Sequence, residues 1–186
     1  MSVFPREIIL RSSELATLAA IFHFRLLHLS GSPPLWDKAW LSRGAEESPC
    51  LSALPATNNC VSTSEDAGDS AHYAPPWNYN PEDGRGPVSR EAAMAELLEV
   101  VKSTNANGFT PRIAEKKDDY LRVEYESPIM GFVDDVEFWF PPGEKPLVNY
   151  RSASRLGILD FDVNRKRIKA LRQSLEKKGW ASESGF

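Results

Sequence analysis

Histidine and cysteine are scarce in this chain: 186 residues hold three of the first and two of the second. Two thiols with no histidine at a ligand-like spacing cannot close a tetrahedral zinc site, so no metal is assigned. Cys50 and Cys60 stand either as free thiols or as a disulfide across a C-x9-C loop, which needs an oxidising compartment. A basic surplus is missing too. The net charge is −4 at pH 7, and phosphate neutralisation needs a basic surface, so nucleic acid is not an expected partner. Long apolar runs are absent. Leu15 to Phe22 is uninterrupted, but His23, Arg25 and His28 break its continuation, and a membrane-spanning helix needs about 20 apolar residues. No integral span is expected in the domain. No motif for a cofactor is present, and none is expected.

The first thirty residues differ from the rest. Arg6, Arg11, Ser12 and Ser13 suit an organelle-targeting peptide, whereas Glu7 and Glu14 do not. An amphipathic surface helix is the alternative. Residues 1–45 are therefore read as a targeting or docking segment with its linker, 46–180 as one domain, and 181–186 as a tail.

Proline is plentiful, at 14 residues. Gly31 to Pro87 reads as loop, with breakers such as Ser32-Pro33-Pro34, Ala74-Pro75-Pro76 and Asp83-Gly84-Arg85-Gly86-Pro87. Trp36, Trp40, Tyr73, Trp77 and Tyr79 interleave with them. Disordered segments are poor in aromatics, so this coil is expected to pack on the domain and cover a sheet face or edge.

Regular structure follows. Ser89 caps a helix whose Met94, Leu97, Leu98 and Val101 share one face, and Asn105 to Gly108 stops it. A strand around Arg112 to Glu115 turns at Lys116 to Asp119 into Tyr120 to Glu126. There Leu121, Val123 and Tyr125 alternate with Arg122, Glu124 and Glu126. Met130 to Phe140 and Leu147 to Arg155 form a hairpin. A last helix, about Val163 to Lys178, is capped by Asp160 or Asp162. Ile168, Leu171 and Leu175 make its apolar stripe, and its other faces are basic. The fold class is α+β: an antiparallel sheet with two helices packed on one face, preceded by a Pro-rich irregular segment.

The hairpin is unusual in its charge. Opposing residues share a face, so the apolar sets should meet. Setting Phe138 opposite Tyr150 achieves this and places Glu137 opposite Arg151. Asp135, Glu137, Arg151 and Arg155 then share one face, beside Trp139. Asp134 sits on the other, more apolar face near Ser152 and Ser154. A buried acid needs a partner or a raised pKa, and Arg165 or Arg167 could supply the partner. Three readings follow: an ion-pair ladder with a helix-docking network, a pocket for a polar or anionic ligand, or an enzyme with Asp134 or Asp135 as general base. Ser152 and Ser154 have no histidine nearby and no Gly-x-Ser-x-Gly turn, so a hydrolase triad is unsupported. Asp134, Asp135 and Glu137 alternate across a strand and cannot easily share one cation.

Several segments carry a resemblance. They are Asn59-Cys60-Val61-Ser62-Thr63, His72 with Ala74-Pro75, Tyr120-Leu121, Gly131 to Phe138, Arg151 to Gly157, and Asp162 to Ile168, the last adding Asn164 to the polar cluster. In this order, over roughly Cys50 to Lys177, the chain resembles the domain-of-unknown-function family 1499. The resemblance implies a fold unit and no reaction. Bacterial relatives are often exported or lipid-anchored, and plant and algal relatives are often directed to plastids. Relatives commonly carry a cysteine shortly before the Asn-Cys-Val-Ser signature, and Cys50 fits that place at a longer spacing. The resemblance thus implies a disulfide and an exported or lumenal compartment. The expectation is a plastid protein, in the thylakoid lumen or on the membrane surface. Its expected role is a non-catalytic interaction or assembly subunit of a membrane protein complex, photosynthetic in kind. A small-ligand binder and an enzyme are the alternatives.

Overall fold

The computed structural model describes residues 59–106, 108–155 and 162–183. In chain order the elements are β1 (Cys60–Ser62), β2 (Trp77–Asn78), α1 (Arg90–Ser103), β3 (Thr110–Lys116), β4 (Tyr120–Glu126), β5 (Val133–Trp139), β6 (Leu147–Ser154), α2 (Val163–Glu176) and β7 (Ala181–Ser182). The strands form one antiparallel sheet in the order β3-β4-β5-β6-β2-β7, with β1 also paired to β6. The class is α+β, as its sequence implies.

Alternation sorts the sheet's residues. Leu121, Val123, Tyr125, Val136, Phe138, Val148 and Tyr150 point to one face and join a single core with the buried sides of both helices. From α1 come Ala93, Met94, Leu97, Val100 and Val101; from α2 come Ile168, Leu171 and Leu175. Ser89 caps α1 by accepting the Ala92 N–H at 3.2 Å, which satisfies one of the orphan donors of a helix start. Gly108, at φ +76°, turns the chain after that helix.

The proline-rich stretch is less irregular than its composition suggests. Residues 31–58, with Trp36 and Trp40, lie outside the described residues. The part that follows contributes β1 and β2, which divide the free edge of β6 between them: Val61 pairs with Ser152 and Trp77 with Val148. Strands of three and two residues are too short to show an alternating pattern, so only β6's open hydrogen-bonding edge reveals them. The expected packing of the aromatics is met at Trp77, whose ring lies 4.4 Å from Tyr150 and 5.8 Å from Phe138 between centroids. Ala181 and Ser182, read from sequence as the start of a tail, pair with Asn78 and Trp77 as β7.

Two boundaries differ from expectation. β5 begins at Val133 rather than Met130, because Gly131 adopts φ +65° and leaves the extended region. Asp162 stands at the N-cap of α2 but makes no side-chain cap bond. Its own φ is +61°, a left-handed conformation that Asp tolerates better than most residues. Asp160 lies outside the described residues. Among the described residues no helix is long and apolar enough to cross a membrane.

Candidate functional site, a charged hairpin closed on itself

The hairpin β5–β6 has the register that apolar matching demands: Phe138 faces Tyr150 and Glu137 faces Arg151. Consecutive acids Asp134 and Asp135 therefore leave the sheet on opposite sides.

On the helix-bearing side, Asp134 lies across from Ser154 on β6 and Tyr125 on β4. The N-terminal turn of α2 brings Asn164 and Arg167 over them, and both are fully buried. Arg167 Nη2 donates to Asp134 Oδ2 at 2.5 Å. Arg167 Nη1 donates to Ser152 Oγ at 3.2 Å and to Asn164 Oδ1 at 3.0 Å. The guanidinium also lies over two rings, 4.6 Å from the Tyr125 centroid and 4.9 Å from that of Phe109, a cation–π arrangement. Ser152 Oγ donates to Asn164 Oδ1 at 2.6 Å, and Asn164 Nδ2 donates to Ser154 Oγ and to the Asn59 carbonyl, each at 3.0 Å. Ser152 is thus spent on an amide and a guanidinium and Ser154 on the amide, and among the described residues no histidine bonds either. Among the described residues, Arg167 Nε and the Tyr125 hydroxyl find no hydrogen-bond partner. Burial pushes the Tyr125 phenol up to about 12, against the opposing pull of Arg167.

On the far side, β4 extends the charge pattern. Glu124 faces Asp135 and Arg122 faces Glu137. Asp135 accepts from Arg155 Nε at 2.6 Å, Arg155 Nη2 at 2.8 Å and Arg122 Nη1 at 3.2 Å. Glu124 accepts from Arg155 Nη2 at 2.7 Å, from Arg122 Nη1 at 3.2 Å and from Arg112. Three guanidiniums therefore share two carboxylates. Glu137 accepts from the Tyr120 hydroxyl at 2.5 Å and from Arg151 Nη1 at 3.4 Å. Asp135, Glu137 and Arg151 are buried. Burial opposes the charge of Arg155, but the hydrogen bonds and charges of Asp135 and Glu124 outweigh it and raise its pKa. Burial likewise opposes the Glu124 carboxylate, and the bonds and charge of Arg155 outweigh it and lower its pKa. Tyr120 is pushed well above the usual phenol value by burial first and by Glu137 second.

The structure brings together nine of the ten polar residues expected from sequence, in two clusters on opposite faces. Asp134, Ser152, Ser154, Asn164 and Arg167 form one; Asp135, Glu137, Arg151 and Arg155 belong to the other. Arg165 is in neither: it donates to the Ser70 and Ala71 carbonyls at 2.7 Å each. Sequence reading missed Arg122, Glu124, Tyr120 and Tyr125. The signal was available, since β4 alternates cleanly and its apolar side had to meet that of β5. His72 Nδ1 lies 2.8 Å from Asp69 Oδ2. Among the described residues no three acids, histidines or cysteines are placed to hold a metal. Cys60 is buried on the far face beside Ala153; Cys50 lies outside the described residues.

The segments that carried the family resemblance meet here. Asn59 precedes β1, Asp134 sits on β5, Ser152 and Ser154 on β6, and Asn164 and Arg167 on α2. Residues 50–175 match the family described as Protein of unknown function (DUF1499). No curated protein matches, and no solved structure matches.

Proposed function

This chain belongs to the DUF1499 family, and on that premise we propose that its domain is a non-catalytic interaction or assembly module of an organelle membrane complex, in a photosynthetic plastid. One observation carries the non-catalytic part: the acids of the hairpin close on arginines of the same domain. Asp134 is taken by Arg167, Asp135 by Arg155 and Arg122, and Glu137 by Arg151 and Tyr120. A general base must reach a substrate proton through an open lone pair, and a buried carboxylate already bonded to guanidinium is poorly placed for that. The membrane and plastid parts rest on the targeting-like residues before position 30 and on the family resemblance. Affinity isolation of the full chain from fractionated plastids in mild detergent should recover it with a membrane complex on native gels. Recovery as a soluble monomer would overturn the reading.

The same reading includes a Cys50–Cys60 disulfide and the oxidising lumenal compartment it requires. In its support, relatives commonly carry a cysteine shortly before the Asn-Cys-Val-Ser signature, and Cys50 fits that place at a longer spacing from Cys60. Thiol alkylation of the native protein should add no mass until a reductant is present. Reduction should cost about 2–4 kcal/mol of stability.

A small anionic ligand is the second reading. The observation in its favour is the excess of guanidiniums over carboxylates among Arg112, Arg122, Arg155, Glu124 and Asp135. Native mass spectrometry of the purified protein tests it by the presence or absence of a retained species.

A further inference from the structure

Among the described residues, three large apolar side chains stand exposed: Ile129 at 84%, Met130 at 53% and Phe132 at 37%. All three belong to the loop that joins β4 to β5. The loop is an ordered turn. The Ser127 N–H donates to the Phe132 carbonyl at 2.8 Å, and the Phe132 N–H donates to Ser127 Oγ at 2.9 Å. Pro128 fixes one φ inside that closure, and Gly131, at +65°, supplies its left-handed residue. The backbone of Met130 is thus held in place, and solvent reaches its side chain without any opening of the fold.

Chemistry singles out Met130 in this trio. Its neighbours carry hydrocarbon side chains, whereas a thioether sulfur has lone pairs that peroxide can oxidise once solvent brings the two together. The chain has three methionines, Met1, Met94 and Met130, and Met1 lies outside the described residues. Met94 is placed in the opposite way. It is 3% exposed, on the buried side of α1, in the core with Leu97 and Val101. Peroxide reaches that sulfur only when the helix opens, and a sulfoxide there would set a polar oxygen among apolar side chains. At Met130 the same oxygen would meet water, on a turn whose closing bonds run between Ser127 and Phe132.

We propose that Met130 is a site of reversible oxidation, which switches the tip of the β4–β5 turn between an apolar and a polar state. In the forward step the thioether sulfur attacks one oxygen of hydrogen peroxide. The O–O bond breaks, the sulfur gains that oxygen and is oxidised by two electrons, and the other oxygen leaves as water. In the return step a thiol-dependent methionine sulfoxide reductase supplies two thiols, which become a disulfide as the sulfoxide oxygen leaves as water. The exposure that admits peroxide also admits that enzyme. This modification goes beyond the assembly reading and does not depend on it.

The test treats the full chain with dilute hydrogen peroxide and follows each methionine by peptide mass mapping over time. Met130 should gain one oxygen at least about tenfold faster than Met94. The protein oxidised at Met130 should melt within about 2 °C of the untreated one, as a change confined to the surface does. It should also leave a hydrophobic-interaction column earlier, because the tip has become polar. The two epimer-specific methionine sulfoxide reductases, with dithiothreitol, should restore both the mass and the retention. Met130→Leu should keep the fold, show no early shift in retention on peroxide treatment, and leave the slow oxidation of Met94 unchanged. Equal rates at Met94 and Met130 would overturn the proposal. So would a protein that unfolds when Met130 is oxidised, a retention that does not change, or an oxygen at Met130 that the reductases cannot remove.

Discussion

Arg167 makes two hydrogen bonds to uncharged groups, one ion pair and two ring contacts while fully excluded from water. Its removal would leave Asp134 charged and unmatched in the core, so Arg167→Ala is expected to cost about 3–5 kcal/mol. Asp134→Asn should be destabilising as well, since it strands the guanidinium. The double change Arg167→Met with Asp134→Leu should recover most of the loss, because paired removal leaves no buried charge behind. Urea unfolding of the three variants measures this; an Asp134→Asn protein as stable as wild type would end the assignment of a structural lock. The two faces of the sheet together predict a pH response at both ends. The folded-state pKa of Glu124 lies below its ordinary 4.5, so the unfolded chain binds the extra proton. Its contribution is present above that value and is lost as pH falls below it. Tyr120 and Tyr150 are shifted the other way, upward from 10, burial being the first cause in each. Their contribution is full below pH 10 and is lost as pH rises beyond it, since unfolded phenols ionise first. Melting temperature against pH should therefore fall on both sides. Glu124→Gln should flatten the acid limb and Tyr120→Phe the alkaline one.

At the scale of elements, what could be read in advance was whatever carried a period. β4, the hairpin register and the stripe Ile168, Leu171 and Leu175 followed from alternation or from 3.6-residue spacing. β1, β2 and β7 did not, because two or three residues hold no period: the edge of β6 defines β1 and β2, and β2 in turn defines β7. The polar cluster was half legible for a related reason. The Glu137 and Arg151 pairing needed one hairpin, whereas the grip of Glu124 on Arg155 spans β4 to β6 across a third strand. The choice between Arg165 and Arg167 depended on how α2 is rotated on the sheet; Asn164, Ile168, Leu171 and Leu175 set that rotation and turn Arg167 inward. A two-residue strand can still matter. Trp77 is buried against Tyr150 and Phe138, so Trp77→Ala is expected to cost about 3–5 kcal/mol, as much as a central-strand aromatic. A loss below about 1 kcal/mol by denaturant titration would show that β2 is a loose flap rather than part of the core.

Across the whole molecule, distant stretches of chain are joined at single atoms. The Asn59 carbonyl accepts both the Ser154 N–H at 3.1 Å and Asn164 Nδ2 at 3.0 Å, so the start of the described domain, its longest strand and its last helix share one acceptor. The Thr63 N–H, donated to the Tyr150 carbonyl at 3.0 Å, ties the other end of β1 to β6. Elements linked in this way cannot open separately without exposing buried polar groups, each of which costs about 1–3 kcal/mol when stranded. β3 differs: it is an edge strand with Pro111 in it and a register irregularity between Ile113 and Glu115, features that weaken a ladder. Native-state amide exchange should therefore divide the domain in two. Thr63, Ser154 and the amides around Leu171 should exchange with one common free energy equal to that of global unfolding, and β3 should open at lower cost. Arg167→Ala should lower the first group together, β1 included. If only the amides of α2 responded, the helix would be a separable lid, and the network would be local docking rather than the bond that unites the fold.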